Sequence, residues 1–374
     1  MKIPVGVLGA TGMVGQNYIS LLSEHPWFEV RFVAASPRSA GKKYKEAVAD
    51  RWQLAKIYTD AVGALTVHNA NDVFAALEAH NAGQCAFVFS ALEMGKNEIR
   101  DLEEAYAKAG VPVISNASAH RSTPDVPMLI AEVNPHHTDI IPFQQKNRGF
   151  EKGFIAVKPN CSIQSYITPF YALIKAGFEI KRAVVTTMQA VSGSGYPGVA
   201  SLDVIDNIVP FIGGEEEKSE LEPLKILGTV ENGVIKSADA PIIAAHCNRV
   251  PVVDGHMACV SIEFGAKKPP IAEIKRIWAN FIALPQELNL PFAPAHPIIT
   301  REEDNRPQPR KDRDADKAMA VTVGRIRPCP VFDIRFVGLS HNTVRGAAGG
   351  GILNAELLKA KGFLEEAVGN ETSR

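Results

Sequence analysis

The feature that most constrains this chain is Gly9-Ala-Thr-Gly12-Met-Val-Gly15, which directly follows the apolar run Ile3 to Leu8. A buried strand that ends in regularly spaced glycines and passes into a helix leaves room for a tight turn. It also turns free backbone N–H groups, at the positive end of the helix, toward a pyrophosphate. The spacing is G-x-x-G-x-x-G, a departure from the standard dinucleotide fingerprint, so the position of the motif in the chain carries as much weight as its letters. Gly9, Thr11, Gly12, Met13, Val14 and Gly15 are the expected cofactor-contacting residues of this turn.

The rest of the first third fits a parallel sheet with crossover helices. Strand-like Val30–Ala34, Phe87–Ser90 and Val111–Ser115 alternate with helix-like segments from Met13 and over Lys96–Ala109. From about Phe154 the strands lengthen, at Ala183–Met188, Met257–Phe264, Met319–Val323 and Phe332–Val337. The expected class is α/β: an N-terminal Rossmann-type parallel sheet and a second α+β domain on a mixed sheet. Residues 1–157 form the first domain, completed by a C-terminal helix at 342–374, and 158–341 the second. The charged stretch Pro307 to Lys317 reads as a solvated loop. The segment Asn342 to Gly362 reads as a glycine-bearing helix that packs back on the cofactor domain.

At the end of the second strand, where NAD-binding folds place an acid for the ribose hydroxyls, the chain reads Ser36-Pro37-Arg38-Ser39. Two hydroxyls and a guanidinium suit the 2′-phosphate of NADP(H) instead. Composition excludes other classes: Lys+Arg 40 against Asp+Glu 41 leaves a net charge of -1, without a basic block for nucleic acid. No run is long enough to span a bilayer. A cytoplasmic protein with a small-molecule substrate is expected, with no nucleic-acid or membrane partner. Five cysteines without a C-x-x-C pair argue against disulfides and against a metal cluster. Cys85 and Cys259, in apolar strands, read as core residues. Cys161, following a strand and opening a helical segment, reads as a nucleophile whose thiolate the helix dipole would stabilise.

The motifs SNASAHR (115–121), PNCS (159–162), MQAVSGSGYPG (188–198), EEEK (215–218), NRVPVVDGH (248–256) and LSHNTVRGAAGG (339–350), together with GATGMVG, resemble the aspartate-β-semialdehyde dehydrogenases of archaeal and fungal type. The resemblance implies NADPH-dependent reduction of L-aspartyl-4-phosphate to the semialdehyde through a Cys161 thioester, in biosynthesis of lysine, threonine and methionine. It implies His256 as acid/base group, which suits an imidazole that titrates near neutrality. Gln189 would orient the substrate, and Asn160 stands beside the nucleophile in the same catalytic motif. Arg249 would hold the α-carboxylate, Glu216 the ammonium, and Arg121 and Lys218 the phosphate. Ser90, Ser192, Gly193 and Asn342 would approach the cofactor, and the resemblance makes the second α+β domain the catalytic and dimerisation domain, with a homodimer or homotetramer expected. Malonyl-CoA or succinyl-CoA reductases share this thioester machinery and remain an alternative, as does N-acetyl-glutamyl-phosphate reductase. A non-catalytic NADP-binding sensor would need neither Cys161 nor His256.

Overall fold

A computed structural model describes residues 2–364. Its first sheet holds β1 (Ile3–Leu8), β2 (Phe28–Ala35), β3 (Val67–Asn69), β4 (Phe87–Ser90), β5 (Val113–Ser115) and β6 (Ile155–Val157). They run in the order β3-β2-β1-β4-β5-β6, all parallel. This order reverses direction at β1 and β4, and the crevice beyond the carboxyl ends of those strands is where a dinucleotide lies in such sheets. β1 is nearly all buried, as expected of a strand covered by helices on both faces.

The second sheet contains β7 (Ile180–Gln189), then, after a separate hairpin of β8 (Thr229–Glu231) and β9 (Val234–Lys236), β10 (Ile242–Arg249) and β11 (His256–Phe264). β12 (Ile298–Thr300), β13 (Val321–Pro328) and β14 (Ile334–Ser340) complete it. The order is β10-β7-β11-β14-β13-β12, with parallel and antiparallel pairs mixed. Period-two burial along β11 puts Ala258 and Val260 against the helices and turns Cys259 outward. The expectation of a core cysteine there fails because a strand with one covered face buries every second residue. Cys85 is fully buried as expected.

The segment 307–317 is also not the solvated loop its charges suggest. Asp312 is buried and accepts from Arg306 Nε at 2.7 Å, Gln308 N at 2.7 Å and Arg301 Nε at 3.1 Å. Burial opposes its ionisation, but the bonds from Arg306 and the Gln308 N–H outweigh this and hold the carboxyl below the ordinary value. The pinned turn lies against the site: Arg313 Nη1 donates to Asp254 O at 3.1 Å, two residues before His256.

The C-terminal helix, Gly349–Ala360, does pack on the first sheet's helical layer; Ala348, Ile352, Ala355 and Leu358 share a core with Tyr18, Phe89 and Phe154. The expected continuation to 374 runs past the described residues. Glycine is needed here by proximity, since a Cβ on Gly351 would lie 1.9 Å from the Tyr18 hydroxyl. A buried latch closes the same contact: His25 Nε2 meets Glu356 Oε1 at 2.7 Å, while Glu356 also accepts the Phe292 N–H at 3.0 Å.

Candidate active site

The site forms where the two sheets meet. Gln189 ends β7, Arg249 ends the parallel neighbour β10 in register with it, and His256 begins the antiparallel β11. Three adjacent strand ends therefore deliver an amide, a guanidinium and an imidazole to one edge. From the other side, the chain leaving β6, the last strand of the first sheet, delivers Lys158, Asn160 and Cys161. Cys161 Sγ and His256 Nε2 stand 3.4 Å apart, although 95 residues separate them.

His256 is fully buried, and its Nδ1 accepts the Ala190 N–H at 3.0 Å. A backbone N–H can only donate, so the neutral ring carries its proton on Nε2, aimed at the sulfur. Burial, then Arg249 and His341, push its pKa down to about 3. The expectation of an imidazole titrating near neutrality is thus replaced by a fixed, uncharged Nε2–H donor.

The thiol differs from expectation as well. Cys161 precedes a single four-residue 3-10 turn, Ser162–Ser165, and the α-helix proper begins only at Ile167, so little helix dipole acts on the sulfur. Desolvation first and the Glu215 carboxylate second push the thiol up to about 11, against the pull of Lys158, Arg121 and Arg249.

Glu215, not among the site residues expected from the motifs, is the acid at the centre of the site. It is buried and accepts Asn160 Nδ2 at 2.8 Å, Lys218 Nζ at 2.9 Å and Gln189 Nε2 at 3.2 Å. Its burial is outweighed by Lys218 and these bonds, which keep it ionised below the ordinary carboxylate value. Glu216, one position on and about 100° round the helix, instead accepts the Cys247 N–H of β10 at 3.1 Å. The one signal that could have found Glu215 is its i,i+3 spacing to Lys218, which puts both on one face of the helix Glu215–Ile226.

Arg249 is nearly buried, with Nη1 donating to Ala190 O at 2.7 Å. Gly193 leaves it space: a Cβ there would come within 3.0 Å of Arg249 Nη1 and 3.1 Å of the imidazole. Arg121 donates to Lys158 O, Asn116 O and Glu222 Oε1, each at 3.0 Å. Glu222 also accepts the Asn160 N–H at 2.7 Å, so Arg121 is tied to the nucleophile loop through one carboxylate. Arg121 and Lys218 share the wall of an open cleft of about 460 Å³.

At the nucleotide turn, Gly9 has φ +73°, and a Cβ on it would strike Ala91 O at 2.2 Å. A Cβ on Gly15 would strike Gly9 O at 2.2 Å. The helix Met13–Leu22 starts with no side-chain cap and no acid in its first turn, leaving the N–H groups near Met13 and Val14 to an anion. These features fit a bound pyrophosphate. Beyond β2, Ser36 and Arg38 are exposed and Ser39 is buried, on a turn closed by Ser39 N to Ser36 O at 2.9 Å. Asn342 ties the loop after β7 to the turn before β11: its Nδ2 donates to Ser192 Oγ at 2.8 Å, and its Oδ1 accepts the Gly255 N–H at 2.8 Å. The Ser90 side chain does not join this group. Its hydroxyl donates to the buried Glu103 at 2.6 Å, as does that of Ser115 at 2.6 Å.

Among the described residues no helix is long and apolar enough to cross a membrane. Residues 4–141 match the semialdehyde dehydrogenase NAD binding domain, and residues 171–345 match the semialdehyde dehydrogenase dimerisation domain. The aspartate-semialdehyde dehydrogenase of Methanothermobacter thermautotrophicus is 47% identical over 95% of this chain and 99% of its own. That of Cryptococcus neoformans is 43% identical over 97% of this chain and 99% of its own. The crystal structure of the Candida albicans enzyme with NADP superposes with a TM-score of 0.87 at 38% identity, covering 97% of this chain and all of that one. With family matches covering most of its length and relatives alike over nearly all of it, the chain belongs to the aspartate-semialdehyde dehydrogenase family.

Proposed function

We propose that this protein reduces L-aspartyl-4-phosphate to L-aspartate-4-semialdehyde and phosphate with NADPH, in biosynthesis of the aspartate family of amino acids. The observation that carries the reading is the Cys161 to His256 pair at 3.4 Å, with the Arg249 guanidinium beside the same imidazole at Gly193. The Cys161 thiolate attacks the acyl carbon, a C–S bond forms, and the C–O bond to phosphate breaks. Arg121 and Lys218 receive the phosphate charge, and the planar fork of Arg249 takes the α-carboxylate. Glu215, rather than Glu216, meets the substrate ammonium, and Gln189 and Asn160 hold Glu215 in place. Bound NADPH supplies a hydride to the thioester carbon. His256, uncharged, donates its Nε2–H to the oxygen on which negative charge develops, and the C–S bond then breaks to release the aldehyde.

NADP is held, in this reading, by Gly9 to Gly15 at the pyrophosphate and by Ser36, Arg38 and Ser39 at the 2′-phosphate. Ser192, Gly193 and Asn342 lie at the nicotinamide end, and Ser90 contributes through its place at the end of β4. The domains divide at 157/158, with the segment from 342 returning to the first. The assembly is a homodimer, a homotetramer being the other reading. Leu202, Ile205, Ile208 and Phe211, all exposed, lie within the matched dimerisation domain and would be covered by a second copy. Free thiols at all five cysteines suit a cytoplasmic location.

The test is oxidation of L-aspartate semialdehyde by NADP with phosphate varied, run for wild type and Cys161→Ser. Saturable dependence on phosphate, lost in the serine variant, is the expected result. A requirement for coenzyme A in place of phosphate would overturn the substrate assignment.

A further inference from the structure

Two residues of the nucleophile loop press on one stretch of the C-terminal segment. A Cβ on Gly346 would stand 2.9 Å from the Cys161 Cβ, and one on Gly350 would stand 2.6 Å from Lys158 Cε. Gly346 and Gly350 stand on either side of the kink at Ala347, so the stems of the thiol and of the lysine border one bent stretch of chain. Gly350 thus makes room for a lysine that lies inside the protein, 2% exposed.

Among the described residues, that lysine has no acid of its own. Its Nζ makes one hydrogen bond, to Pro159 O at 3.2 Å. The neighbouring cavity, of about 10 Å³ and lined also by Glu132, Gln164 and Arg345, is too small for a counter-ion. Glu132 is bound by Arg345 at 3.0 Å, and Glu222, also within electrostatic reach of Lys158, is bound by Arg121 at 3.0 Å. Arg121 and Arg345 add positive charge to the surroundings. Of the described residues, the remaining group within electrostatic reach of Lys158 that can become an anion is Cys161, three residues along the same loop. Burial pulls Lys158 down to about 7, and a Cys161 thiolate opposes that pull, so the lysine changes charge near neutral pH.

Arg121 and Arg249 also favour the thiolate, but the proposed reading commits both to the anionic ends of the substrate. We propose that Lys158 is a positioning residue for the covalent step: its buried ammonium is the counter-charge left to hold Cys161 as a thiolate once substrate occupies the two arginines. The inference rests on the proposed roles of those arginines. Its test reads the sulfur directly and needs no turnover, so it can fail while the phosphorylating activity stands, and the reverse.

The rate of iodoacetamide alkylation at Cys161, followed on its own peptide by mass spectrometry, is measured from pH 6 to 9 with phosphate present. Lys158→Met should raise the apparent thiol pKa by about one unit and slow alkylation at pH 7 about tenfold, while Lys158→Arg retains most of the rate. NADPH binding by fluorescence checks that each variant is folded. Wild-type kinetics and pH profile in Lys158→Met would overturn the proposal, and so would an arginine variant as slow as the methionine one, which would reduce Lys158 to a packing role. Should Lys158→Met fail to fold, the wild-type profile decides. Around pH 7 the ammonium is lost as the thiolate gains, so the rate should climb by less than tenfold per pH unit. A full tenfold per unit up to one ionisation refutes the idea.

Discussion

Replacing Glu215 by glutamine should move turnover and thiol reactivity in opposite directions. The carboxylate accepts hydrogen bonds from Asn160, Gln189 and Lys218. Glutamine keeps the shape but loses the charge-assisted bond to Lys218, worth about 1.5–3 kcal/mol, and turns an amide donor toward groups that are donors themselves. The substrate ammonium would lose its partner by the same change. Together these amount to about 3–4 kcal/mol of lost transition-state binding, a fall in kcat/KM of roughly 10²- to 10³-fold. Yet Glu215 is also the acid that raises the Cys161 pKa, second only to desolvation. Glu215→Gln should therefore lower the thiol pKa and speed iodoacetamide alkylation at pH 7, while turnover collapses. Glu216→Gln is the control: that side chain meets the Cys247 N–H and not the site, so kcat/KM should change by less than about threefold. Steady-state kinetics and alkylation of Cys161 in both variants check this. A Glu216 variant as damaged as the Glu215 one, or slower alkylation in Glu215→Gln, would refute it.

Arg249→Lys should raise KM for the semialdehyde at least tenfold and lower kcat, because a point charge cannot reproduce the two-oxygen fork or the bond to Ala190 O; steady-state kinetics read both. Arg38→Ala should weaken NADP at least tenfold more than NAD, measured by fluorescence titration, and equal weakening would make Arg38 a plain surface charge. Asp312→Ala should destabilise the fold by roughly 2–4 kcal/mol in denaturant melts, as it strips a buried carboxylate from Arg301 and Arg306. The sign with pH is set by the depressed Asp312 value: its contribution is complete above the unfolded carboxylate range and is lost as pH falls through the folded value. Wild type and variant should therefore converge in acid.

The nucleotide turn was legible because strand, glycine spacing and helix are all local, and β1 spans the residues its apolar run predicts. The sequence singled out Cys161, which the fold brings to His256, but did not show its electrostatics. A fragment that looks like the start of a helix shows neither the break at Tyr166 nor the acid arriving from 54 residues further along the chain. In Glu215-Glu216-Glu217 three carboxylates look alike, and only the helix phase set by packing on β10 separates them. β10 itself escaped notice because its covered face pairs Ile243 with small Ala245 and Cys247 and ends in Arg249, while the exposed Ile242 blurs the alternation. The pinned turn near Asp312 was hidden because charge counts do not say which charges meet each other.

The Ala190 N–H that fixes the imidazole belongs to the main chain, and this makes the proton's position on His256 a property of the fold. Any residue except proline at 190 would keep that donor. The proton's place is therefore set by the backbone rather than by the chemistry of the side chain at 190. The front of the ring, by contrast, is built from Cys161, Arg249 and Gly193, where one substitution changes the chemistry. A catalogue of inactivating variants should be dense on the sulfur side of the ring and, at position 190, hold proline, which removes the donor, and large side chains, which the fully buried position does not admit.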